Sequence, residues 1–311
     1  MMAKISFVIP CYRSEKTIRD VYNEILSTVK AKEEYSYEVV AVNDCSPDQV
    51  LDVLLDIAGQ DKQFIVIDCA KNMGKHAALM AGFRHSSGDI VVCLDDDGQC
   101  PLDHLWELIE PLNNGYDVSM AQYGRKKQSN FKNIGSYGNE LMMRWMLGKP
   151  KNFQFANFAA FKKFVVEEMC RYTNAYSYVN GLVLRSTIKY TNVPMEERCR
   201  AAGTGGYTFS KSLKLWINGM TAFSVRPLRI ATGMGIFSFI AGLVFGILAL
   251  FGICPFLFAI YFIIFLLAGM MMLLIGLIGE YIGRTYMCIN NEPQYVIRQV
   301  WNYRDGNDRS N

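Results

Sequence analysis

The sequence predicts an α/β domain with a doubly wound, mostly parallel sheet, followed by a two-helix membrane anchor. From Met1 to about Tyr123, short β-branched apolar runs alternate with amphipathic stretches, which is typical of βαβ units. Residues 230–279 contain no Asp, Glu, Lys, Arg or His, which is typical of membrane-spanning segments. A soluble catalytic or binding domain and a membrane anchor are therefore expected in one chain.

Five strands are predicted in the first part of the chain, at residues 5–9, 38–42, 64–67, 90–94 and 118–121. Each of the first four is followed by a helical pattern, which is clearest where Ile18, Val21, Ile25 and Val29 repeat every three or four residues. Ligands of such sheets bind outside the carboxyl ends of the strands. The candidate site segments are therefore the ones that follow these ends, residues 11–15, 43–48, 71–75 and 95–101.

Two membrane spans are predicted, at residues 230–253 and 256–278. Each has the ~20 apolar residues that a helix needs to cross a hydrocarbon core ~30 Å thick. Basic residues lie before the first span and after the second, whereas the connection at residues 254–255 is short and uncharged. The excess of Lys and Arg on cytoplasmic loops then predicts that both ends of the chain are cytoplasmic.

The resulting domain organisation has four parts. Residues 1–209 form a cytoplasmic domain, 210–229 an interfacial amphipathic segment, 230–279 two transmembrane helices and 280–311 a cytoplasmic tail. In the interfacial segment, Lys211 and Lys214 alternate with Leu213, Leu215 and Trp216, which suits a helix lying at the lipid headgroups. An ordinary amphipathic packing helix is the alternative interpretation.

Composition excludes several classes of protein. A chain that is 51% hydrophobic and 20% charged is not disordered, and a net charge of +3 argues against a nucleic-acid partner. The nine cysteines are odd in number and form no Cys-x-x-Cys pair, which argues against a disulfide framework or a zinc site. The apolar run at residues 5–10 is too short for a cleavable signal sequence.

Three consecutive acids, Asp95, Asp96 and Asp97, follow the fourth predicted strand. Carboxylate oxygens are the ligands that Mg²⁺ and Mn²⁺ prefer, and such a charge density is costly without a cation. In an extended chain Asp95 and Asp97 point to one side and Asp96 to the other, so the first and third acids form the natural metal-binding pair. The alternative is a turn that caps the following helix.

The loops after the second and third strands offer further polar groups. Asp44 is suited to accept a hydrogen bond from a base or ribose, although a simple turn in which Asp48 caps the next helix is the alternative. Gly74, between Lys71 and Lys75, permits close approach of the backbone to a diphosphate, whose charge the two lysines would balance. The latter signal is weak by itself.

These motifs together resemble family 2 glycosyltransferases. The resemblance rests on residues 8–15 (Val-Ile-Pro-Cys-Tyr-Arg-Ser-Glu), 42–48 (Val-Asn-Asp-Cys-Ser-Pro-Asp), 72–74 (Asn-Met-Gly) and 94–101 (Leu-Asp-Asp-Asp-Gly-Gln-Cys-Pro). Further motifs, at residues 193–198, 200–203, 215–216 and 279–284, are similar to the polyprenyl-phosphate glycosyltransferases within that family, the group of undecaprenyl- and dolichol-phosphate enzymes. The resemblance extends over nearly the whole chain.

The resemblance implies a GT-A-like nucleotide-sugar-binding fold and a role for each motif. Asp95 and Asp97 would hold Mg²⁺ or Mn²⁺, and Asp97, Arg125 and Arg200 would be catalytic. Nucleotide-sugar-binding residues would be Pro10, Tyr12, Glu15, Asp44, Lys71, Asn72, Gly74, Asp95, Asp96 and Gln99. Acceptor-phosphate residues would be Arg125, Lys132, Ser136, Arg200 and Lys211.

The chain departs from the family's pattern in two places. Asn157-Phe158-Ala159 stands where many relatives carry Asp-Phe-Arg, so a carboxylate sometimes proposed as general base is absent. The segment 203–207 lacks a lysine that often follows its first glycine. The first departure is chemically tolerable, because a lipid monophosphate, with a second pKa of about 6, is largely dianionic at neutral pH and needs no base.

The predicted function follows from the resemblance. A sugar would pass from a nucleotide-diphosphate sugar, preferably a UDP-sugar, to a polyprenyl phosphate such as undecaprenyl phosphate, with inversion, at the cytoplasmic face of a bacterial inner membrane. A homo-oligomer, such as a tetramer, is also implied. Two alternatives remain: a processive polysaccharide synthase, although its Gln-x-x-Arg-Trp segment and longer membrane channel are not evident, and a non-catalytic lipid-binding or scaffolding subunit.

Overall fold

The computed structural model describes residues 3–124, 143–144, 148–196, 198, 233–241, 244, 247–248, 251, 256–290 and 292–303. The chain forms two compact units. The first consists of Met1–Tyr207 together with Pro293–Asn311, and the second of Thr208–Glu292. The described residues 293–303 therefore belong to the first unit.

Eight strands of the first unit form one sheet. They are β1 (Ala3–Cys11), β2 (Tyr35–Asn43), β3 (Phe64–Cys69), β4 (Ile90–Cys93), β5 (Val118–Tyr123), β6 (Ala159–Lys162), β7 (Tyr190–Met195) and β8 (Ile297–Trp301). In the described part of this unit, the helices with given bounds are α1 (Ile18–Lys30), α2 (Val50–Gln60), α3 (Lys75–His85), α4 (Leu105–Asn113), α5 (Lys163–Cys170) and α6 (Val179–Ser186), with a 3₁₀ turn at Leu102–His104.

The strand order is β7-β5-β6-β4-β1-β2-β3-β8. The central strands β3, β2, β1 and β4 are mutually parallel, and β7 is parallel to β5. Antiparallel pairs join β4 to β6, β6 to β5 and β3 to β8. The prediction of an α/β fold with a mostly parallel sheet is confirmed, and the outer strands make the sheet a mixed one.

All five predicted strands are present, and three further strands were not predicted. β6 has only four residues, Ala-Ala-Phe-Lys, which is too short for a period to show. β7 contains Pro194, which is tolerated because this strand lies at an edge of the sheet. β8 lies in the segment expected to be a tail, and its five residues become a strand by pairing with β3.

The core of the first unit lies between the central strands and their helices. The predicted face of α1 is confirmed, since Ile18, Val21, Ile25 and Val29 are all buried. On α3, a Cβ atom added at Gly82 would meet Val8 Cγ1 and would lie 3.3 Å from Val42 Cγ2. Glycine at this position therefore lets α3 pack closely on β1 and β2, so that the loop before α3 reaches the carboxyl end of the sheet.

In the second unit, α7 is a single helix from Phe256 to Ile289. It contains the whole of the second predicted span and continues eleven residues beyond it, because the charges at Glu280 and Arg284 do not interrupt helical hydrogen bonding. Among the described residues, one helical segment, Gly269–Ile289, is long and apolar enough to cross a membrane. Of the first predicted span, residues 233–241, 244, 247–248 and 251 are described, and all of these except residue 251 are helical. Residues 210–229 lie outside the described part of the chain.

Two glycine-to-alanine substitutions test the packing of α3. Gly82→Ala is expected to lower the free energy of unfolding by about 1–3 kcal/mol, because its methyl group would overlap Val8 in a packed core. Gly59→Ala is the matched control, since nothing lies within 4 Å of a Cβ at that helical position. There, alanine should be neutral or stabilising by up to ~1 kcal/mol. Denaturant unfolding in detergent measures both, and equal effects would contradict this account of Gly82.

Candidate active site

Loops from the ends of β1, β2 and β4 are joined by hydrogen bonds from backbone N–H groups to side chains. The N–H of Tyr12 donates to Asp96 Oδ2 at 3.0 Å, and the N–H of Arg13 donates to Ser46 Oγ at 2.8 Å. Arg13 has a positive φ of 60° and lies over the ring of Tyr12, which is 44% exposed. The β1–α1 loop is thus held from both sides, and the side chain of Tyr12 stays partly exposed.

Asp44 organises the loop between β3 and α3. Its Oδ1 accepts from the N–H of Met73 and its Oδ2 from the N–H of Gly74, both at 2.9 Å, and its backbone carbonyl accepts from Asn72. Asp44 is buried, and burial raises the pKa of its carboxyl, although the two N–H donors act in the opposite direction. Gly74 has a φ of 87°, a conformation that favours glycine. Asp44 therefore fixes the loop that carries Asn72 and Gly74.

Glu15 and Asp48 form a reciprocal connection between the β1–α1 and β2–α2 loops. The N–H of Glu15 donates to Asp48 Oδ2 at 3.0 Å, and the N–H of Gln49 donates to Glu15 Oε2 at 3.0 Å. The alternative in which Asp48 caps α2 is wrong, because α2 has no side-chain cap and the two carboxylate oxygens of Asp48 accept from the N–H of Glu15 and from Ser46 Oγ. Both acids hold loops in place.

Asp95 lies between a cation and an amide. The Nζ of Lys75, the first residue of α3, forms an ion pair with Asp95 Oδ1. Asn157 Nδ2 donates to Asp95 Oδ2 at 2.7 Å. Asn157 thus donates a hydrogen bond to the first acid of the motif, a contact that an ionised aspartate at this position could not make.

The carboxylate of Asp96 points toward the β1–α1 loop. Besides its carboxylate bond to Tyr12, its backbone carbonyl accepts from Thr17 Oγ1 at 2.6 Å. Burial raises the pKa of Asp96 to about 6, with the charge of Asp95 acting in the same direction and hydrogen bonding opposing it. Asp96 is therefore an internal acid that ties two loops together.

The loop at residues 95–101, which contains the three acids and is called the acidic loop below, is connected to the segment after β7 by Asp97 and Gln99. Asp97 Oδ1 accepts from the N–H of Gln99 at 3.2 Å across Gly98, whose φ is 74°. Gln99 Nε2 donates to the carbonyl of Arg198 at 3.1 Å, and the N–H of Arg198 donates back to the carbonyl of Gln99 at 3.3 Å. Gln99 and Arg198 thus exchange two hydrogen bonds, which hold the acidic loop and the segment after β7 together.

Arg198 is a residue that the sequence analysis did not assign a role. Its guanidinium makes ion pairs of 2.6 Å with Glu24 on α1 and with Asp103 beside the acidic loop. These partners lie 174 and 95 residues away in the chain, so no local pattern could have revealed them. Arg198 holds the end of β7 against the site.

The remaining predicted residues are distributed as follows. Pro10 is buried within β1, opposite Val42, and Lys71 and Asn72 are exposed at the end of β3. The predicted acceptor-phosphate and cationic residues Arg125, Lys132, Ser136, Arg200 and Lys211 lie outside the described residues.

The acidic loop can be compared with the requirements of a divalent cation. In the part of the chain that the structure describes, no group of three or more His, Cys, Asp or Glu side chains could hold a metal ion. Mg²⁺, however, is often bound by one or two carboxylates together with substrate phosphates and water. The side chain of Asp95 is 22% exposed. Asp97, the other proposed ligand, follows two residues later in the chain. This oxygen set fits a cation that shares its coordination with a diphosphate.

The family comparison agrees with the fold and these loops. Residues 6–170, more than half of the 311, match the family described as Glycosyl transferase family 2. The chain therefore belongs to glycosyl transferase family 2, and the expectation from the sequence motifs is confirmed. It is a glycosyltransferase.

Individual relatives match nearly the whole chain. The undecaprenyl-phosphate 4-deoxy-4-formamido-L-arabinose transferase of Photorhabdus laumondii is 27% identical over 98% of this chain and 96% of its own. The enzyme of the same name from Pectobacterium atrosepticum is 28% identical over 95% of this chain and 93% of its own. The glycosyltransferase YkcC of Bacillus subtilis is 29% identical over 95% and 94%, respectively.

Solved structures share the GT-A-like fold. Glucosyl-3-phosphoglycerate synthase from Mycobacterium tuberculosis in complex with Mn²⁺, UDP-glucose and phosphoglyceric acid matches with a TM-score of 0.52 at 18% identity, covering 69% of this chain and 76% of that one. The same synthase with Mg²⁺ and UDP matches with a TM-score of 0.51 at 18% identity, covering 71% and 79%.

The pKa of Asp96 predicts a pH dependence of stability. Because folding raises this pKa from 3.8 to about 6, the protonated acid is favoured in the folded state. The contribution of Asp96 to stability is complete at a pH below its pKa in the unfolded chain. It is lost as the pH rises through the pKa of Asp96 in the folded protein. Between about pH 4 and about pH 7, the free energy of unfolding of wild type should fall by on the order of 1–3 kcal/mol relative to that of Asp96→Asn. Unfolding curves recorded in chelator measure this difference. A difference that did not change with pH would contradict the raised pKa.

Proposed function

We propose that this glycosyltransferase moves a sugar from a nucleotide-diphosphate sugar, preferably a UDP-sugar, to a polyprenyl phosphate such as undecaprenyl phosphate. The observation that supports this acceptor is the extent of the match. Relatives named undecaprenyl-phosphate transferases align over 95–98% of the chain, including the unit that contains the apolar helix α7. The solved structures of similar fold include one holding UDP-glucose with Mn²⁺, which supports the donor class.

The donor would bind over the loops at the carboxyl ends of β1 to β4. Tyr12 offers a partly exposed aromatic side chain there, and Asp44 shapes the turn around Gly74, where the backbone can approach a phosphate. Glu15, Lys71, Asn72 and Gln99 would complete the binding surface. Asp95 and Asp97 would hold Mg²⁺ or Mn²⁺ against the diphosphate. When bound, such a cation stabilises the negative charge of the departing nucleotide.

The acceptor chemistry accounts for Asn157. A lipid phosphate is already an anion and attacks without losing a proton, so the site needs charge compensation rather than a base. Asn157 donates its amide N–H to Asp95 and adds no negative charge beside two phosphates. Arg125, Lys132, Ser136, Arg200 and Lys211 would bind the acceptor phosphate and counter its repulsion of the donor. Attack opposite the departing nucleotide inverts the sugar's anomeric configuration.

The membrane arrangement belongs to the same proposal. Residues 230–279 would form two spanning helices, with residues 210–229 at the membrane interface and the catalytic domain on the cytoplasmic side of a bacterial inner membrane. In α7, Leu257, Met272, Leu273 and Ile275 are 64–75% exposed, which suits contact with lipid. A cytoplasmic site would meet nucleotide sugars where they are made and lipid phosphate at the membrane surface.

A transfer assay tests the reaction directly. Purified protein in detergent is incubated with undecaprenyl phosphate, Mn²⁺ or Mg²⁺, and a panel of UDP- and GDP-sugars, and lipid products are followed by mass spectrometry. A lipid-phosphate sugar that requires metal is the expected product. Release of free nucleotide without a lipid product would contradict the acceptor, and donor binding without any turnover would favour a non-catalytic subunit.

Asp97→Ala is expected to lower the rate of sugar transfer by at least about 10²-fold, because it removes one of the two proposed metal ligands. Its free energy of unfolding should stay close to that of wild type. Initial rates with a saturating donor, together with an unfolding curve, provide the measurement. Asp52→Ala, at an exposed position on α2, is the control and should keep full activity. Activity of wild type that persists in chelator would argue against the metal.

Asn157→Asp tests whether a base limits the reaction. Its carboxylate would replace the amide N–H that lies 2.7 Å from Asp95 Oδ2, so the rate should fall, within about tenfold, rather than rise. Asn174→Asp, on an exposed loop, makes the same chemical change away from the site. A gain of several orders of magnitude for Asn157→Asp alone would show that proton removal from the acceptor had been limiting.

A further inference from the structure

The strand β8 joins the sheet with an irregular register. Asp68 lies opposite Gln299, whereas the next residue, Cys69, lies opposite Ile297. Arg298 is therefore the extra residue of a β-bulge, a feature that re-aims a side chain at the edge of a sheet. The bulge lies at the carboxyl end of β3. The loops that are proposed to bind the nucleotide sugar lie at the same edge of the sheet.

Arg298 is directed to a buried carboxylate. Its Nη1 lies 2.9 Å from Asp68 Oδ2, and the side chain of Asp68 is only 2% exposed, against 57% for Arg298. The backbone adds a bond from the N–H of Ala70 to the carbonyl of Val296 at 2.8 Å. Burying a carboxylate is costly unless it is paired, so Arg298 compensates a charge that water cannot reach.

The second oxygen of Asp68 continues the connection into the site. Asn43 Nδ2, which belongs to a buried side chain at the end of β2, donates to Asp68 Oδ1 at 2.7 Å. Asn43 Oδ1 then accepts from the N–H of Ser46 at 3.0 Å, and Ser46 Oγ accepts from the N–H of Arg13 at 2.8 Å. A continuous hydrogen-bonded path thus runs from Arg298 to the loops after β2 and β1.

We propose that Arg298 is a positioning residue for donor binding, acting through Asp68 and Asn43 on the loops at residues 43–48 and 11–15. The proposal rests on the proposed function in placing the nucleotide at these loops. Without the guanidinium, Asp68 must take up a proton or a water molecule, and either change alters the acceptor that orients the Asn43 amide. The loop at Ser46 then loses its fixed conformation, although Arg298 itself touches no ligand.

Arg298→Met keeps the length of the side chain and removes its charge. In the full-length protein we expect the Kd of UDP in the presence of Mn²⁺, and the KM of the sugar donor, to rise at least about fivefold, with kcat changed less than about twofold. Arg298→Lys should recover part of the affinity. Arg171→Met is the matched control, because Arg171 makes an exposed ion pair with Glu168 at 2.8 Å and contacts none of these loops.

A second variant tests the path itself. Asp68→Asn removes the buried charge and keeps an oxygen for Asn43, and its effect on the UDP Kd should not add to that of Arg298→Met, since both act through one network. A lowered Tm for Arg298→Met with an unchanged Kd and KM would overturn the proposal, as would equal effects of Arg171→Met. Nucleotide binding is measured without lipid, so a protein that binds UDP but transfers nothing contradicts the proposed reaction and leaves this test of Arg298 intact.

Discussion

Three carboxylates at the ends of the central strands, two of them buried and one half-buried, determine the arrangement of the candidate active site. Asp44, Asp68 and Asp96 lie at or just beyond the carboxyl ends of β2, β3 and β4, and a buried carboxylate must receive hydrogen bonds or a counter-charge. Each is satisfied by a different part of the chain: Asp44 by the loop before α3, Asp68 by β8, and Asp96 by the β1–α1 loop. Satisfying these charges therefore brings distant segments together at one edge of the sheet.

The same constraint divides the acidic motif into two kinds of residue. Asp96 is turned inward and accepts from the backbone of Tyr12, whereas Asp95 meets Lys75 and Asn157. The chain turns at Asp96 and Asp97, so that neighbouring acids reach different partners. Asp96 fixes the position of the loop, whereas Asp95 and Asp97 are the proposed ligands of a cation. Three consecutive acids thus serve both as structural support and as candidate ligands.

Sequence patterns predicted the parts of the fold that local periodicity encodes. The buried β-branched runs identified β1 to β5, and the strand ends identified the loops that contain Asp44 and Asp95. They could not predict β8, because five residues such as Ile-Arg-Gln-Val-Trp become a strand only through pairing with β3. Arg198 and Arg298 were missed for a related reason: the partners of Arg298 lie 228–230 residues away, and nothing near it marks the contact.

The position of Lys75 explains how such an acidic loop is stable before a ligand binds. The ammonium of Lys75, the first residue of α3, forms an ion pair with Asp95. If a diphosphate bound at the same loops, Asp95 and Asp97 would hold a divalent cation, which would supply the charge that Lys75 supplies without a ligand. The ammonium of Lys75 would then be available to the phosphates. A positive charge that the fold holds next to Asp95 therefore supports the proposed donor site.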